Sequence, residues 1–311
     1  MRPAVSLATA VTAVATATAV TAALTALTAC SGPAAPHQAN QAHQALAYAA
    51  APPATYYLAL GDSLSQGVQP DAAGFSVETA DGYADQLYAD LRHGNGHPGL
   101  KLVKLGCPGE TTSTMINGGI CRYPDGSQLQ AAVAFLDEHR GRVFLVTIDV
   151  GANDPEACGS QPGLSQLATC AVTGIPTAVA HLGTIMARLT AAAGAGVRVV
   201  GMNYYLPALA EWRNGLPGHM VARAAERLAA TYNNLLDRVY TTYGARVANV
   251  FGAFGTADFT RQATSGVPDN VAKLCQWTWA CAAPPRGPNQ HANQAGYQVI
   301  ARTFLQAAGL S

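Results

Sequence analysis

Charged side chains are scarce in this chain. They make up 12% of its 311 residues, and 18 Lys and Arg balance 18 Asp and Glu. No cluster of Lys and Arg occurs at any point along the sequence. A protein that binds nucleic acid neutralises phosphates with a basic patch, so we expect no nucleic-acid partner. The balanced charge also argues against an acidic or polybasic interaction tail.

The cysteines lack the spacing of a metal site. Seven cysteines occur, but no two of them form the C-x-x-C pattern that is typical of structural zinc sites. Zinc is the competing explanation for this number of cysteines, and we expect no metal.

Charge is also missing from the N-terminal region, where no charged residue occurs between Arg2 and Asp62. Residues 1–29 are a long run of Ala, Thr, Val and Leu behind one positive charge, which is typical of a secretory signal peptide. A transmembrane helix is the alternative, but no basic stop-transfer segment follows. The run ends in "LTAC" (27–30), which resembles the bacterial lipobox, although a chance cleavage site ahead of an incidental cysteine is the alternative.

The lipobox-like stretch predicts where the protein resides. Lipidation of Cys30 would make it the mature N-terminus and hold the protein at a membrane surface without spanning the membrane. We therefore expect an extracellular lipoprotein, anchored to the outer face of the cell membrane. Residues 30–55 are rich in Ala, Gln and Pro, and they are predicted to link this anchor to a folded domain over 56–311.

The remaining cysteines predict disulfides. With Cys30 assigned to the lipid, six are left, which is an even number. An exported protein resides where disulfides persist, and short loops cost the least entropy to close. Six cysteines allow fifteen connectivities. Nearest neighbours in sequence are the pairing that we predict: Cys107–Cys121, Cys158–Cys170 and Cys275–Cys281.

Strand and helix patterns alternate through the predicted domain. Five short apolar runs, typical of buried strands, are separated by segments with helical spacing. This alternation predicts an α/β fold, a three-layer α/β/α sandwich around a five-stranded parallel sheet. The apolar runs are 55–60, 100–106, 143–151, 197–205 and 245–254, and the helical segments are 82–94, 126–141, 175–196, 217–243 and 293–309.

Candidate catalytic residues follow the predicted strands. Ser63 follows the first strand, Gly109 the second and Asn153 the third, while His291 lies just before the last helix. An open parallel sheet binds its ligands at the carboxyl ends of its strands. We therefore expect these four residues to converge.

Four short blocks around these residues resemble the GDSL lipases and esterases, also called the SGNH hydrolase family, and the resemblance extends over essentially the whole predicted domain. They are "GDSLSQG" with Ser63, "CPGETT" with Gly109, "GAND" with Asn153 and "HANQAGY" with His291. The resemblance, to secreted members of the actinobacterial type, implies a flavodoxin-like fold. The α/β-hydrolases are the nearest alternative, but their G-x-S-x-G elbow needs a glycine where this chain has Ser65.

The resemblance implies a role for each residue and requires no cofactor. Ser63 is the nucleophile, and His291 is the general base that takes its proton. The Ser63 N–H, the Gly109 N–H and the Asn153 side-chain amide donate to the oxyanion. Taken one by one, the residues leave other roles open: Ser63 as a helix N-cap, Asn153 as a turn residue, and Gly106 in place of Gly109.

The acid of a catalytic triad is missing from the usual place. The family usually has an aspartate three residues before the histidine, but that position is Pro288, and no Asp or Glu follows Asp269. Three groups are candidates for orienting His291: the Pro288 backbone carbonyl, the Asn289 side chain, and Asp269 if the chain folds back. We favour the carbonyl and expect an active Ser63–His291 dyad.

These residues predict a serine carboxylic ester hydrolase that forms an acyl-enzyme on Ser63. By resemblance, acyl-lipid or small carboxylic esters are the leading substrates, and a carbohydrate O-acetyl esterase is the alternative enzyme. A non-catalytic surface binding protein with the same fold is the alternative outside enzymes, although the four intact blocks argue against it. Trp277 and Trp279 are candidates for a wall of the site near His291. We expect a monomer.

Overall fold

The structure covers most of the predicted domain. This computed structural model describes residues 55–94, 96–155, 164–263 and 265–310, and over 164–172 it describes the backbone alone. The predicted signal peptide, the lipidation site Cys30 and the linker up to residue 54 lie outside the described residues. Within the described ranges, no helix is long and apolar enough to cross a membrane.

Five parallel strands form the central sheet. In spatial order they are β4 (Leu100–Lys104), β1 (Thr55–Gly61), β5 (Val143–Asp149), β6 (Arg198–Met202) and β7 (Arg246–Ala248). Numbered by their order in the chain, these strands lie 2-1-3-4-5, which is the flavodoxin-like order. The fold class predicted from the sequence is confirmed.

The central strands form because their side chains are apolar on both faces. Residues 57–61 of β1 are all buried, as are six of the seven residues of β5. A parallel strand with helices on both faces has such a continuous apolar run, where a half-exposed strand would alternate. Thr147 is polar and buried, and its hydroxyl meets that of Tyr57 at 2.9 Å across the two strands. This hydrogen bond removes the cost of an unpaired polar group in the core.

Helices cover the sheet in two groups. They are α1 (Tyr83–His93), α2 (Thr112–Asn117), α3 (Gln128–Glu138), α4 (Leu164–Ala193), α5 (Gly215–Thr242), α6 (Val250–Ala253), α7 (Asp269–Trp277) and α8 (Gln294–Ala307), with a 3₁₀ helix over Pro207–Asn214. α1 packs against α8, and α3 packs against α4, which in turn packs against α5. Together with the sheet, the two groups make the three layers.

Side-chain caps fix the start of the helices near the sheet edge. The Ser127 hydroxyl accepts from the Gln130 N–H ahead of α3, and the Asn293 side chain accepts from the Gly296 N–H ahead of α8. Such a cap satisfies a backbone donor that the first turn of the helix leaves unpaired. Because Asn293 follows His291 by two residues, the second cap also fixes where the histidine loop ends.

One apolar run forms less strand than its sequence predicts. The run 245–254 predicts a single strand, but β7 covers only Arg246–Ala248, and α6 follows at once. Asn249 is the reason for this change, because its side-chain oxygen accepts from the Gly252 N–H at 2.8 Å and caps α6.

Two other elements differ from the prediction. The helical segment 175–196 begins earlier, at Leu164, and Pro176 lies inside the helix although proline favours a helix start. The short hairpin of β2 (Gln69–Pro70) and β3 (Ser76–Val77) was not predicted. Its strands have two residues each, which is too short for any sequence pattern to indicate.

Disulfides close two loops beside the sheet edge. Cys107 is joined to Cys121, and Cys275 is joined to Cys281. These are two of the three predicted pairs. In the third pair, Cys158 and the side chain of Cys170 lie outside the described residues. The first disulfide closes the loop that carries Gly109, and the second closes a loop that packs on the histidine loop.

The carboxyl ends of β1, β4 and β5 meet at one edge of the sheet. The chain passes from β1 to β4 on one side, and every later strand lies on the other side of β1. This reversal opens a crevice at the strand ends, where open α/β sheets bind their ligands. Ser63, Gly109 and Asn153 all follow these ends, as the sequence predicts.

Candidate active site

A tight turn presents Ser63 directly after β1. The Asp62 side chain accepts from the Leu64 N–H at 3.0 Å, and the Ser65 hydroxyl donates to the Asp62 carbonyl at 2.8 Å. These two bonds close the backbone on either side of Ser63. The segment forms turns and no helix, so Ser63 is not a helix N-cap.

Gly61 and Gln128 lock the base of this turn. Gly61 has φ +132°, and a Cβ at this position would collide with the backbone oxygen and carboxyl group of Asp149. The buried Gln128 side chain accepts from the Gly61 N–H at 2.6 Å and donates to the Gly61 carbonyl at 2.9 Å. The same amide donates to the Glu110 carboxylate at 2.8 Å. Gln128 therefore ties the serine turn to the loop of Gly109.

The histidine loop is held by Trp279 and Tyr205. The backbone N–H of Trp279 donates to the His291 carbonyl at 3.0 Å, and the backbone carbonyl of Trp279 accepts from the Asn289 N–H at 3.1 Å. The Tyr205 hydroxyl donates to the Gln290 carbonyl at 2.8 Å. Hydrogen bonds to the backbone of the loop thus fix it on both sides of His291, and none of them involves the imidazole.

Ser63, His291 and Asn289 form a continuous hydrogen-bonded chain. His291 Nε2 lies 2.9 Å from Ser63 Oγ, and His291 Nδ1 lies 2.8 Å from Asn289 Oδ1. An amide oxygen only accepts, so the proton of the neutral imidazole resides on Nδ1. Nε2 is therefore the acceptor for the Ser63 hydroxyl proton, as a general base requires.

The orientation of the Asn289 amide is set by its other contacts. Oδ1 also accepts from the His291 N–H at 3.0 Å, in an Asx turn, and Nδ2 donates to the Ser76 hydroxyl at 3.1 Å. Since the His291 backbone N–H can only donate, the amide oxygen must point toward it. The contact with Ser76 connects the hydrogen-bonded chain of Ser63, His291 and Asn289 to β3.

The residue that orients His291 differs from the one favoured by the sequence. The Pro288 carbonyl was favoured, but Nδ1 is bound to the Asn289 side chain, the second candidate. The Asx turn explains this, because it folds the Asn289 oxygen back over both donors of a residue two positions later. Asp269 is engaged elsewhere, in an ion pair with Lys273 at 2.6 Å and a contact with Gln262 at 3.2 Å.

Burial changes the acidity of the histidine. It lowers the pKa of His291 from its usual 6.5 to about 4, because the charged imidazolium loses its hydration. The Asn289 oxygen carries no full charge, so it offsets this loss less than a carboxylate would. His291 is therefore neutral, and able to accept a proton, over all of the neutral and mildly acidic range.

Three candidate oxyanion donors come from residues that line the larger pocket: the N–H groups of Ser63 and Gly109, and the Asn153 amide. The N–H groups of Ser63 and Gly109 make no hydrogen bond within the part of the chain that the structure describes. The Asn153 amide donates to the Glu110 carbonyl at 2.8 Å, and it lies 3.4 Å from the Asp62 carboxylate. The second contact is long for a hydrogen bond. One of the two amide hydrogens of Asn153 is thus weakly held and able to turn to a ligand.

Gly109 and Gly106 need the absence of a side chain for different reasons. Gly109 has φ +84°, lines a pocket with Ser63, and would meet nothing within 4 Å if it carried a Cβ. The left-handed backbone conformation is what favours glycine there. A Cβ at Gly106 would collide with the Ser65 hydroxyl, so Gly106 packs beneath the serine turn.

Two adjoining pockets open at Ser63 and His291. The smaller measures about 50 Å³, and its other walls are Asp62, Leu64, Ala152, Tyr204, Tyr205 and Pro207. The larger measures about 280 Å³, and its other walls include Val68, Ser76, Glu78, Pro108 and Gly109. Asn153 and Gln290 border both pockets. An ester bound at Ser63 has room for a small group on one side and a larger, more polar group on the other.

The tryptophans do not wall these pockets. Neither Trp277 nor Trp279 is among the lining residues of the two. Trp277 packs edge-on against Phe254, and Trp279 supports the histidine loop and donates from its indole to Gln69 at 3.3 Å. In the described ranges, no group of three His, Cys, Asp or Glu side chains is arranged to hold a metal ion.

Sequence reasoning missed the polar residues beneath the site. Gln128, Glu110 and Asp149 are all buried, and each contacts a residue of the four blocks or of the turn at Gly61. Asp149 ends β5, and an acidic residue at the end of an apolar run was the one feature of the sequence that could have indicated it as a site residue. Gln128 lies within an amphipathic helix pattern that does not distinguish it from a surface residue.

We expect Asn289→Asp to raise the pKa of His291. A carboxylate at Nδ1 favours the imidazolium directly, and one such contact shifts a pKa by about 1 to 3 pH units. An NMR titration of the histidine Cε1–H signals, with His291→Ala for assignment, measures this pKa. Asn293→Asp introduces the same charge two residues beyond the histidine, and it should give a smaller rise. An unchanged His291 pKa in Asn289→Asp would contradict the tautomer and the contact.

Comparisons with known proteins agree with this arrangement. The GDSL-like lipase/acylhydrolase family model matches residues 59–299. No curated protein matches the sequence. An extracellular lipase from Streptomyces rimosus is similar in structure, with a TM-score of 0.54 and 19% identity over 82% of this chain and 100% of that one.

Two further structures have the same fold. A putative GDSL-like lipase from Parabacteroides merdae has a TM-score of 0.51 and 14% identity, over 83% of this chain and 96% of that one. A catalytic mutant of an acetylxylan esterase from Geobacillus stearothermophilus has a TM-score of 0.52 and 16% identity, over 82% and 94%. The family match spans all four blocks, from the serine turn to the histidine loop. This chain belongs to the GDSL-like lipase/acylhydrolase family.

Proposed function

We propose that the protein hydrolyses carboxylic esters through an acyl-enzyme on Ser63, with His291 as general base and acid. Membership of the family makes the protein a carboxylic ester hydrolase. The observation that carries the mechanism is the 2.9 Å contact between Ser63 Oγ and the unprotonated Nε2 of His291. A serine hydroxyl is a poor nucleophile unless a positioned base takes its proton.

The proposed reaction balances through these residues alone. Ser63 Oγ attacks the ester carbonyl carbon as its proton passes to Nε2 of His291. The tetrahedral oxyanion receives hydrogen bonds from the Ser63 and Gly109 N–H groups and the Asn153 amide. When it collapses, the Nε2 proton passes to the leaving alcohol, and the acyl group stays on Ser63. Water then attacks the acyl-enzyme with His291 again as base, which releases the carboxylic acid and restores the serine.

Removing the Ser63 hydroxyl should abolish activity. We expect Ser63→Ala to lose labelling by a fluorophosphonate and to lower kcat for p-nitrophenyl acetate by about 10⁴-fold or more. Ser265→Ala is the matched control, because it removes an exposed hydroxyl that contacts only local groups. It should be labelled and active like the wild type. If the wild type is neither labelled nor faster than Ser63→Ala, the protein is the non-catalytic binding protein and the mechanism is refuted.

The two pockets support a preference for a small acyl group. The alcohol of a p-nitrophenyl ester is too large for the pocket of about 50 Å³, and it must occupy the larger one. The acyl group is then left with the small pocket between Tyr204, Tyr205 and Pro207. A volume of this size holds only a few non-hydrogen atoms.

We therefore expect kcat/KM to fall with acyl length. Across p-nitrophenyl acetate, butyrate and octanoate, it should drop by about 10-fold or more between the first and the last, because one misfitting methylene costs about 1 to 3 kcal/mol. Tyr204→Phe keeps the ring and removes a hydroxyl that has no hydrogen-bond partner in the described part of the chain, so it is the control for pocket shape. Equal or rising kcat/KM with chain length would favour an acyl-lipid substrate and exclude this assignment of the pockets.

A carbohydrate O-acetyl esterase is the second candidate. Ser76, Glu78 and Gln290 place polar groups around the larger pocket, where the alcohol of the ester would bind. Such groups pair with hydroxyls, and an apolar chain would leave them unsatisfied. The same assay, extended to acetylated xylo-oligosaccharides and to emulsified triglycerides, separates the two substrate classes.

We also propose that the protein is exported and held at the membrane through Cys30. The support is the sequence alone: an apolar leader behind one positive charge, the lipobox-like "LTAC" (27–30), and a low-complexity linker ahead of the domain. In the native host, metabolic labelling with a fatty-acid analogue should mark the wild type and not Cys30→Ala. Labelling that survives in Cys30→Ala would refute the anchor and leave the hydrolase assignment untouched.

A further inference from the structure

Two carboxyl groups lie against each other beneath the candidate oxyanion donors. Asp62 precedes the nucleophile, and Asp149 ends β5; their side chains are 1% and 0% exposed. In this buried place the two carboxyl groups act on each other. The Asp62 N–H also donates to the Asp149 carbonyl at 3.0 Å and lies 3.4 Å from its carboxyl oxygen Oδ2. Two carboxyl groups that share a buried site do not both ionise, so one of them carries a proton.

The surroundings place that proton on Asp149. Burial, and then the charge of Asp62, raise the pKa of Asp149 well above its usual range. Tyr83 donates to Asp149 Oδ1 at 2.5 Å, which leaves Oδ2 on the side of Asp62. The other titratable groups that interact with the pair are tyrosines, which are neutral because their pKa values are raised: Tyr57, Tyr204, Tyr240 and Tyr297.

Asp62 in turn contacts both sides of the reacting centre. One oxygen, Oδ1, accepts from the N–H of Leu64, the residue after the nucleophile. The other, Oδ2, lies 3.4 Å from the Asn153 amide, which is the side-chain donor proposed for the oxyanion. A full second negative charge here would hold the Asn153 hydrogen and repel the oxyanion that forms nearby.

We propose that Asp62 and Asp149 share one proton, which is held on Asp149. The neutral Asp149 is then a positioning residue, because it leaves the Asn153 amide able to donate to the oxyanion. Asp149 hydrogen-bonds Asp62 and fixes its carboxylate against the Leu64 N–H. The pair carries one negative charge instead of two. Its effect on rate rests on the proposed function, whereas the shared proton does not.

Infrared spectroscopy and kinetics on the full-length protein test the two parts separately. At neutral pH, the wild type minus Asp149→Asn difference spectrum should contain the carbonyl stretch of a protonated carboxyl group. Asp149→Asn keeps a neutral donor to Asp62, so its kcat should remain within about 3-fold of the wild type. Asp149→Ala removes the donor, and its kcat should fall by about 10- to 100-fold with KM within about 3-fold, approaching the loss of one oxyanion donor.

Asp237→Asn is the matched control. Asp237 is a partly buried carboxyl that accepts from the Asn203 amide at 3.2 Å, and it lines neither pocket at Ser63. The kcat of the Asp237→Asn variant should therefore equal that of the wild type. Absence of the carboxyl band, or an Asp149→Asn variant as slow as Asp149→Ala, overturns the proposal. If Asp149→Ala does not fold, the band and the kcat of Asp149→Asn still decide. A band that persists while Ser63→Ala loses no activity would refute the proposed function and leave the shared proton standing.

Discussion

A parallel sheet that is buried on both faces restricts where chemistry can occur. Along β1 and β5 nearly every side chain lies in the core, so polar groups enter only where the strands end. Three strand ends meet at one edge, and the chain reverses direction across the sheet there. The serine turn, the Gly109 loop and the Asn153 turn are therefore brought together by the topology. His291 comes from a loop ahead of α8 and is added to this edge by backbone contacts to Trp279.

The sequence predicts the fold, and the convergence of the candidate site residues, because both have strong local signatures. Buried strands are continuous apolar runs, and Ser63, Asn153 and His291 lie in short blocks with turn residues around them. Element bounds are less predictable, as at β7, where one capping side chain, Asn249, converts the end of an apolar run into a helix. No periodicity carries that information.

The supporting polar residues could not be predicted, for a different reason. Gln128 contacts Gly61 across 67 residues, and Asn289 is fixed by Ser76 across 213. Such pairings depend on the distance between side chains in the folded protein, whereas a sequence shows only their separation along the chain. The choice between the Pro288 carbonyl and the Asn289 amide also depended on one turn geometry. Burial lowers the pKa of His291, and the neutral Asn289 amide offsets this less than a carboxylate would.

The hydrogen bond between Asn289 and Ser76 has a consequence for how the site responds to its ligand. Ser76 belongs to β3 and borders the larger pocket, while Asn289 determines which nitrogen of His291 carries the proton. One hydrogen bond therefore joins the wall of the larger pocket to the amide beside Nδ1 of His291. On the proposed function, an alcohol that hydrogen-bonds Ser76 would compete with the Asn289 amide, so we expect substrate fit and the basicity of the histidine to vary together.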